Sequence, residues 1–128
     1  MPVRYVIDKE RRLVISTVSD PITFAEIKAA QNQLANDPDF NPDFNHLIDT
    51  SAMTKMEILV EQAKEMAQHG IFSSASRGAI IAPTPSVFGM GRLFEAHHDI
   101  QGLKDEVRVF YERDEALKWL GLGLDTPL

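Results

Sequence analysis

Apolar and polar residues alternate at the start of the chain. Val3, Tyr5 and Ile7 fall on one side, Arg4 and Asp8 on the other. A period of two marks a strand over residues 3–8 with one buried face. Residues 13–18 read as a second strand. Only Lys9-Glu10-Arg11-Arg12 separates the two, so short a link that the pair forms an antiparallel hairpin. The period then changes. Asp20-Pro21 stops the strand, and Thr23 with Glu26 stands at capping-box spacing. Phe24, Ile27, Gln31 and Leu34 follow at helical spacing, which predicts a helix over 24–36. From Pro38 to Phe44 the word Pro-Asp-Phe occurs twice, a rigid helix-to-strand turn with its phenylalanines packed beneath it.

The stretch NHLIDTSAMTKME, residues 45–57, is the most informative. Its apolar run His46-Leu47-Ile48 ends in Asp49-Thr50-Ser51. That predicts a buried strand opening at its C-terminal end into a polar turn before a helix, the rim where open α/β sheets place ligands and regulatory chemistry. Leu59, Ala63, Met66 and Ala67 form the apolar stripe of that helix, closed near Gly70. GAIIA, residues 78–82, is a strand covered on both faces. Pro83-Thr84-Pro85 breaks it; Thr84 can cap a following helix and Pro85 can take its first position. Val87, Met90, Phe94 and His97 are the buried stripe of that helix, which ends near Asp99. Val107, Val109 and Tyr111 alternate with Arg108 and Phe110 in a strand over 106–111. Ala116, Leu117 and Leu120 drive a last helix, stopped at Gly121, and residues 122–128 are a frayed tail. The order ββαβαβαβα over residues 1–121 predicts one α/β domain. Its sheet is mostly parallel beyond the hairpin, with right-handed crossovers.

Composition narrows the functions. At 128 residues the chain is one domain by size. A formal net charge of −6 argues against binding to nucleic acid or to an anionic membrane surface. The absence of cysteine excludes disulfides, a thiolate nucleophile and a zinc–thiolate site. No apolar run has the length of a membrane span, and the N-terminus lacks a leader-like apolar core, so a cytoplasmic protein is expected.

Candidate chemistry is sparse. No Ser/His/Asp order, nucleophile elbow or phosphate loop is present, so neither catalysis nor a cofactor is expected. Arg92, Glu95, His98 and Asp99 share one helix face, and three of them could ligate a metal, but such a face is ordinarily a solvated, ion-paired surface. His69 suits a helix C-terminus. Gly89 and Gly91 each cost a helix about 1 kcal/mol relative to Ala, which implies close approach of another backbone, a ligand, or a helix that starts later. Phe88, Met90, Arg92 and Phe94 around them are candidates to line a small apolar pocket with one cationic anchor, suited to an organic anion or fatty acid.

Three words of the chain carry a family resemblance: LIDTSAM at residues 47–53, FGMGRLFE at 88–95 and DEALKWL at 114–120. In this order the chain resembles the STAS/SpoIIAA-like superfamily, which includes bacterial anti-sigma-factor antagonists, domains of sulfate transporters and many small bacterial proteins. It also borders the lipid-binding Sec14-like fold. The resemblance implies a mixed, mostly parallel sheet with helices. It implies a non-catalytic regulatory or protein-binding module acting through the rim at Asp49, Thr50, Ser51 and Thr54, with a protein partner or self-association as a homodimer. The antagonists carry a phosphorylated serine in an Asp-Ser-Ser-Gly-like turn. The matching residues 54–58, TKMEI, hold no serine or glycine, and Thr54 is their only hydroxyl. The alternative is a carrier of a small molecule, lipid or organic anion that uses the pocket.

Overall fold

The computed structural model of the chain describes residues 3–19, 22–54, 61–62, 65, 70–100 and 106–126, with 97–100 described by their helical backbone alone. The elements are β1 (Val3–Asp8), β2 (Leu13–Ser19), α1 (Phe24–Ala35), β3 (Asn45–Ala52), β4 (Arg77–Ile81), α2 (Pro85–Ile100), β5 (Glu106–Phe110) and α3 (Arg113–Trp119). They build an α/β fold around one five-stranded mixed sheet whose spatial order is the sequence order, β1 to β5. β1 and β2 are antiparallel, and β2 through β5 run parallel. Residues 61, 62 and 65 are helical; the rest of the helix expected over 59–70, His69 included, lies outside the described residues.

The hairpin closes without the usual Asn-Gly. Arg12 takes a left-handed backbone, φ 53°. The Asp8 carboxylate accepts the Arg11 N–H at 3.1 Å and the Arg11 guanidinium at 2.8 Å. Those bonds hold the Asp8 carboxyl below its ordinary range. The capping box forms at α1: Thr23 Oγ1 accepts the Glu26 N–H at 3.2 Å and Glu26 Oε1 accepts the Thr23 N–H at 3.1 Å.

Three expectations are corrected. Asp49-Thr50-Ser51 is not a turn but the continuation of β3. Asp49 lies opposite Thr17 of β2 and Ile81 of β4, and Ala52 lies opposite Ser19 across an irregularity in β2. The two-sided ladder at Asp49 and the β2 pairing that resumes at Ala52 outweigh the local turn preference of these residues. Thr84 does not cap α2 with its side chain. Its Oγ1 is buried without a hydrogen-bond partner, although its carbonyl accepts the Phe88 N–H at 2.9 Å. The residues after Gly121 do not fray at once. Gly121 has φ 75°, and the Leu122 N–H reaches the Leu117 carbonyl at 2.9 Å, which ends α3 in a Schellman motif. Thr126 is then buried, and the Arg113 guanidinium donates to the carbonyls of Leu124 and Thr126.

Alternation along the strands divides the core. Leu13, Leu47, Ala79 and Ile81 face α3 and pack on Ala116, Leu117 and Leu120. Ile80 and Val109 face α2 and pack with Val87, Ala82 and Met53. Val14 faces α1 and packs on Leu34 and Phe44. Both described crossover helices thus share one face of the sheet. That follows when every crossover is right-handed and each strand adds on the same side of the last.

Candidate functional site

On the face shared by α1 and α2, two strands do not carry a purely apolar row. The inward set of β2 is Val14, Ser16, Val18, and that of β3 is His46, Ile48, Thr50. These polar side chains stand where the two helices part, and a cavity of about 170 Å³ opens above them. α1 contributes Ile27, Ala30, Gln31 and Leu34 to its wall, and α2 contributes Val87, Met90, Gly91 and Phe94. Val3 and Tyr5 of β1 close one side.

The polar groups of the cavity differ in what they have left to offer. Ser16 Oγ and His46 Nε2 are hydrogen-bonded at 2.8 Å across the β2–β3 ladder. The His46 ring stacks on Phe72 with centroids 4.8 Å apart, which fixes its plane. The Thr50 hydroxyl is committed: it donates to the Ile81 carbonyl at 2.6 Å. The Tyr5 hydroxyl donates to Asp37 Oδ2 at 2.8 Å. Burial, and then that bond to a carboxylate, push the Tyr5 hydroxyl above its ordinary pKa. Asp37 is held below the ordinary carboxylate range, first by the Asp39 N–H and then by Tyr5. The Ser16 hydroxyl, which can take part in more than its one bond to His46, and the Gln31 amide, which has no hydrogen bond among the described residues, are the groups that can meet a guest.

The residues singled out by sequence divide between this cavity and other places. Met90 and Phe94 line it. Phe88 is turned away and lies flat on Tyr111, with centroids 3.7 Å apart and planes 4° apart. Arg92 is exposed and contacts Glu95 at 3.3 Å, so it is not an anchor inside the cavity. Glu95 also accepts the Val109 N–H at 3.0 Å, which ties α2 to β5. The side chains of His98 and Asp99 lie outside the described residues. Among those described, no group of three metal-ligating side chains gathers.

The rim residues do not converge either. Thr50 points into the cavity. Asp49 and Ser51 alternate to the opposite face, where Asp49 Oδ1 accepts the Ser51 N–H at 2.9 Å. Ser51 and Thr54 are exposed.

The sequence reading passed over Ser16, His46, Gln31 and Tyr5. A signal was there. Two strands each place polar side chains on the face their own valines and isoleucines bury, which a plain core avoids.

No helix among the described residues is long and apolar enough to cross a membrane. No protein-family model, no curated protein and no solved structure significantly matches the chain.

Proposed function

We propose that this protein is a binding module for a small, mostly apolar molecule with one neutral hydrogen-bonding group, held between the sheet and helices α1 and α2. The observation that carries this reading is the apolar cavity with a hydrogen-bonded Ser16–His46 pair in its wall. Its volume of about 170 Å³ suits a group the size of one aromatic ring, since an engineered cavity of about 150 Å³ holds benzene. The charge of the guest follows from Arg92. With that guanidinium outside and paired to Glu95, a carboxylate in the cavity would lack the expected cation, and an unpaired buried charge is strongly disfavoured. An alcohol, phenol or amide can hydrogen-bond to Ser16 and Gln31 without that penalty. The chain binds this guest and does not transform it.

Thermal unfolding with phenol, benzyl alcohol and benzoate tests the reading. The two neutral probes raise the midpoint, by the equivalent of about 2.7 kcal/mol at a hundredfold excess over Kd. Benzoate raises it least at neutral pH. Ala30→Phe, which fills the cavity from α1, abolishes the shift while the protein stays folded. If neither neutral probe moves the midpoint, or if Ala30→Phe leaves the shift intact, the reading fails.

A second reading is supported by the exposed hydroxyl of Ser51 at the C-terminal end of the central strand. It is the STAS/SpoIIAA-like regulatory module, with a protein partner at the rim formed by Asp49, Ser51 and Thr54. A Ser51→Glu variant whose binding partners are unchanged counts against it.

A further inference from the structure

β1 is one edge of the sheet. Its Val6 is 64% exposed, and no other strand residue among those described is a large apolar side chain left so open. Alternation puts Arg4, Val6 and Asp8 in one row on the same face, with opposite charges placed symmetrically about the valine. Such a row is complementary to itself when the strand is turned end for end.

We infer that β1 pairs antiparallel with β1 of a second copy of this chain, about a two-fold axis through Val6. In that register Arg4 lies opposite the partner's Asp8, Val6 opposite the partner's Val6, and Tyr5 opposite the partner's Ile7. Directly opposite side chains of an antiparallel pair have Cβ atoms about 5 Å apart, close enough for both ion pairs and the valine contact. Neighbouring registers are worse. An axis through Tyr5 sets Val6 against the partner's Arg4, and an axis through Ile7 sets it against the partner's Asp8. The charges are available. Arg4 makes no ion pair or hydrogen bond among the described residues. Asp8 holds Arg11, and a carboxylate can accept more than one donor on each oxygen. The other edge, β5, is shorter, and its Arg108 is drawn over the Trp119 ring at 5.8 Å. An isologous β1–β1 contact closes at two chains and builds one continuous ten-stranded sheet, whereas β1-to-β5 pairing is heterologous and does not close at two chains.

Light scattering on size-separated full-length protein tests this. The wild type runs with the mass of two chains. Arg4→Asp alone and Asp8→Arg alone each place like charges opposite one another, and each halves the mass. Mixing these two variants restores the dimer, because both facing positions then carry opposite charges. Val6→Lys, at an exposed position that folding does not depend on, also halves the mass. Circular dichroism confirms that each variant is folded. A monomeric wild type overturns the proposal. So does a Val6→Lys protein that remains dimeric, or folded charge variants that stay apart on mixing.

Discussion

Gly91→Ala carries the clearest test of how α2 sits on the sheet. A Cβ built at Gly91 lies 2.7 Å from Val109 Cγ2 and 3.2 Å from Val109 Cβ. A Cβ at Gly89, two residues earlier in the same helix, meets nothing within 4 Å. Alanine is the better helix former by about 1 kcal/mol at either site. At Gly89 that gain stands alone, so Gly89→Ala stabilises by about 1 kcal/mol. At Gly91 it is opposed by overpacking against a strand that cannot retreat, which costs about 1–3 kcal/mol. The net effect of Gly91→Ala is a loss of about 0–2 kcal/mol. Removing the nearest part of the obstacle reduces the loss. Val109→Ala alone costs on the order of 2 kcal/mol for two buried methyl groups and the space they leave. In that background the 2.7 Å contact no longer exists, while the Cβ at position 109, 3.2 Å away, remains, so Gly91→Ala costs less than in the wild type. The coupling between the two sites is therefore at most about 1–3 kcal/mol, the part of the overpacking cost that the two methyl groups carry. Urea unfolding followed by the fluorescence of the single tryptophan, Trp119, measures all five proteins at constant m. If Gly91→Ala stabilises the wild type as much as Gly89→Ala does, or if its effect is the same with and without Val109, the close approach is refuted.

Further predictions concern the capping box and the Tyr5–Asp37 bond. Thr23→Ala removes the side chain that accepts the Glu26 N–H and lowers stability by about 1 kcal/mol in thermal unfolding, while Thr23→Ser retains most of it. Asp37 is depressed in the folded state. Its contribution is therefore complete above the unfolded carboxylate pKa of about 3.9 and is lost as pH falls through the lower folded value. The stability gap between wild type and Asp37→Asn, followed by urea unfolding, narrows below about pH 4. Tyr5 is raised. Its contribution is complete below about pH 10 and is lost as pH rises through the folded value. The gap to Tyr5→Phe thus narrows only in strong alkali, and a gap unchanged across either window contradicts the bond.

Elements whose local and global preferences agree were legible from the residues alone. Thr23 with Glu26 predicted the start of α1, and Pro85 the first residue of α2. The even strand pattern of β1 is present in the structure because one face is half-buried against α1 while Arg4 and Val6 on the other are exposed. The errors have a common cause. Asp49, Thr50 and Ser51 favour a turn by themselves; the pairing of Asp49 with β2 and β4, the β2 pairing that resumes at Ala52, and the Thr50 bond to Ile81 hold them in a strand. Those ladders join residues some thirty apart and leave no local trace. The frayed tail failed likewise, because the Arg113 guanidinium that pins it belongs to the preceding helix. The candidate site was half legible. Met90 and Phe94 were found by helical spacing. Phe88 and Arg92 are their sequence neighbours, but 100° per residue carries them around the helix to other surroundings. Ser16 and His46 became partners only through the register of two strands, which the sequence does not state.

The spatial order of the sheet also bears on how the chain acquires its structure. Every strand after the first pairs with its immediate predecessor in sequence, and none must insert between two already joined. The β1–β2 hairpin closes over a four-residue turn, an event of about 1–10 μs for an isolated hairpin. Each later step adds one strand to an existing free edge, and its chain-closure cost grows only logarithmically with the intervening length. Assembly can therefore advance from the N-terminus in the direction of synthesis, each strand templated by the last. The growing edge moves from β2 to β5, while β1 stays an open edge from the first step to the last.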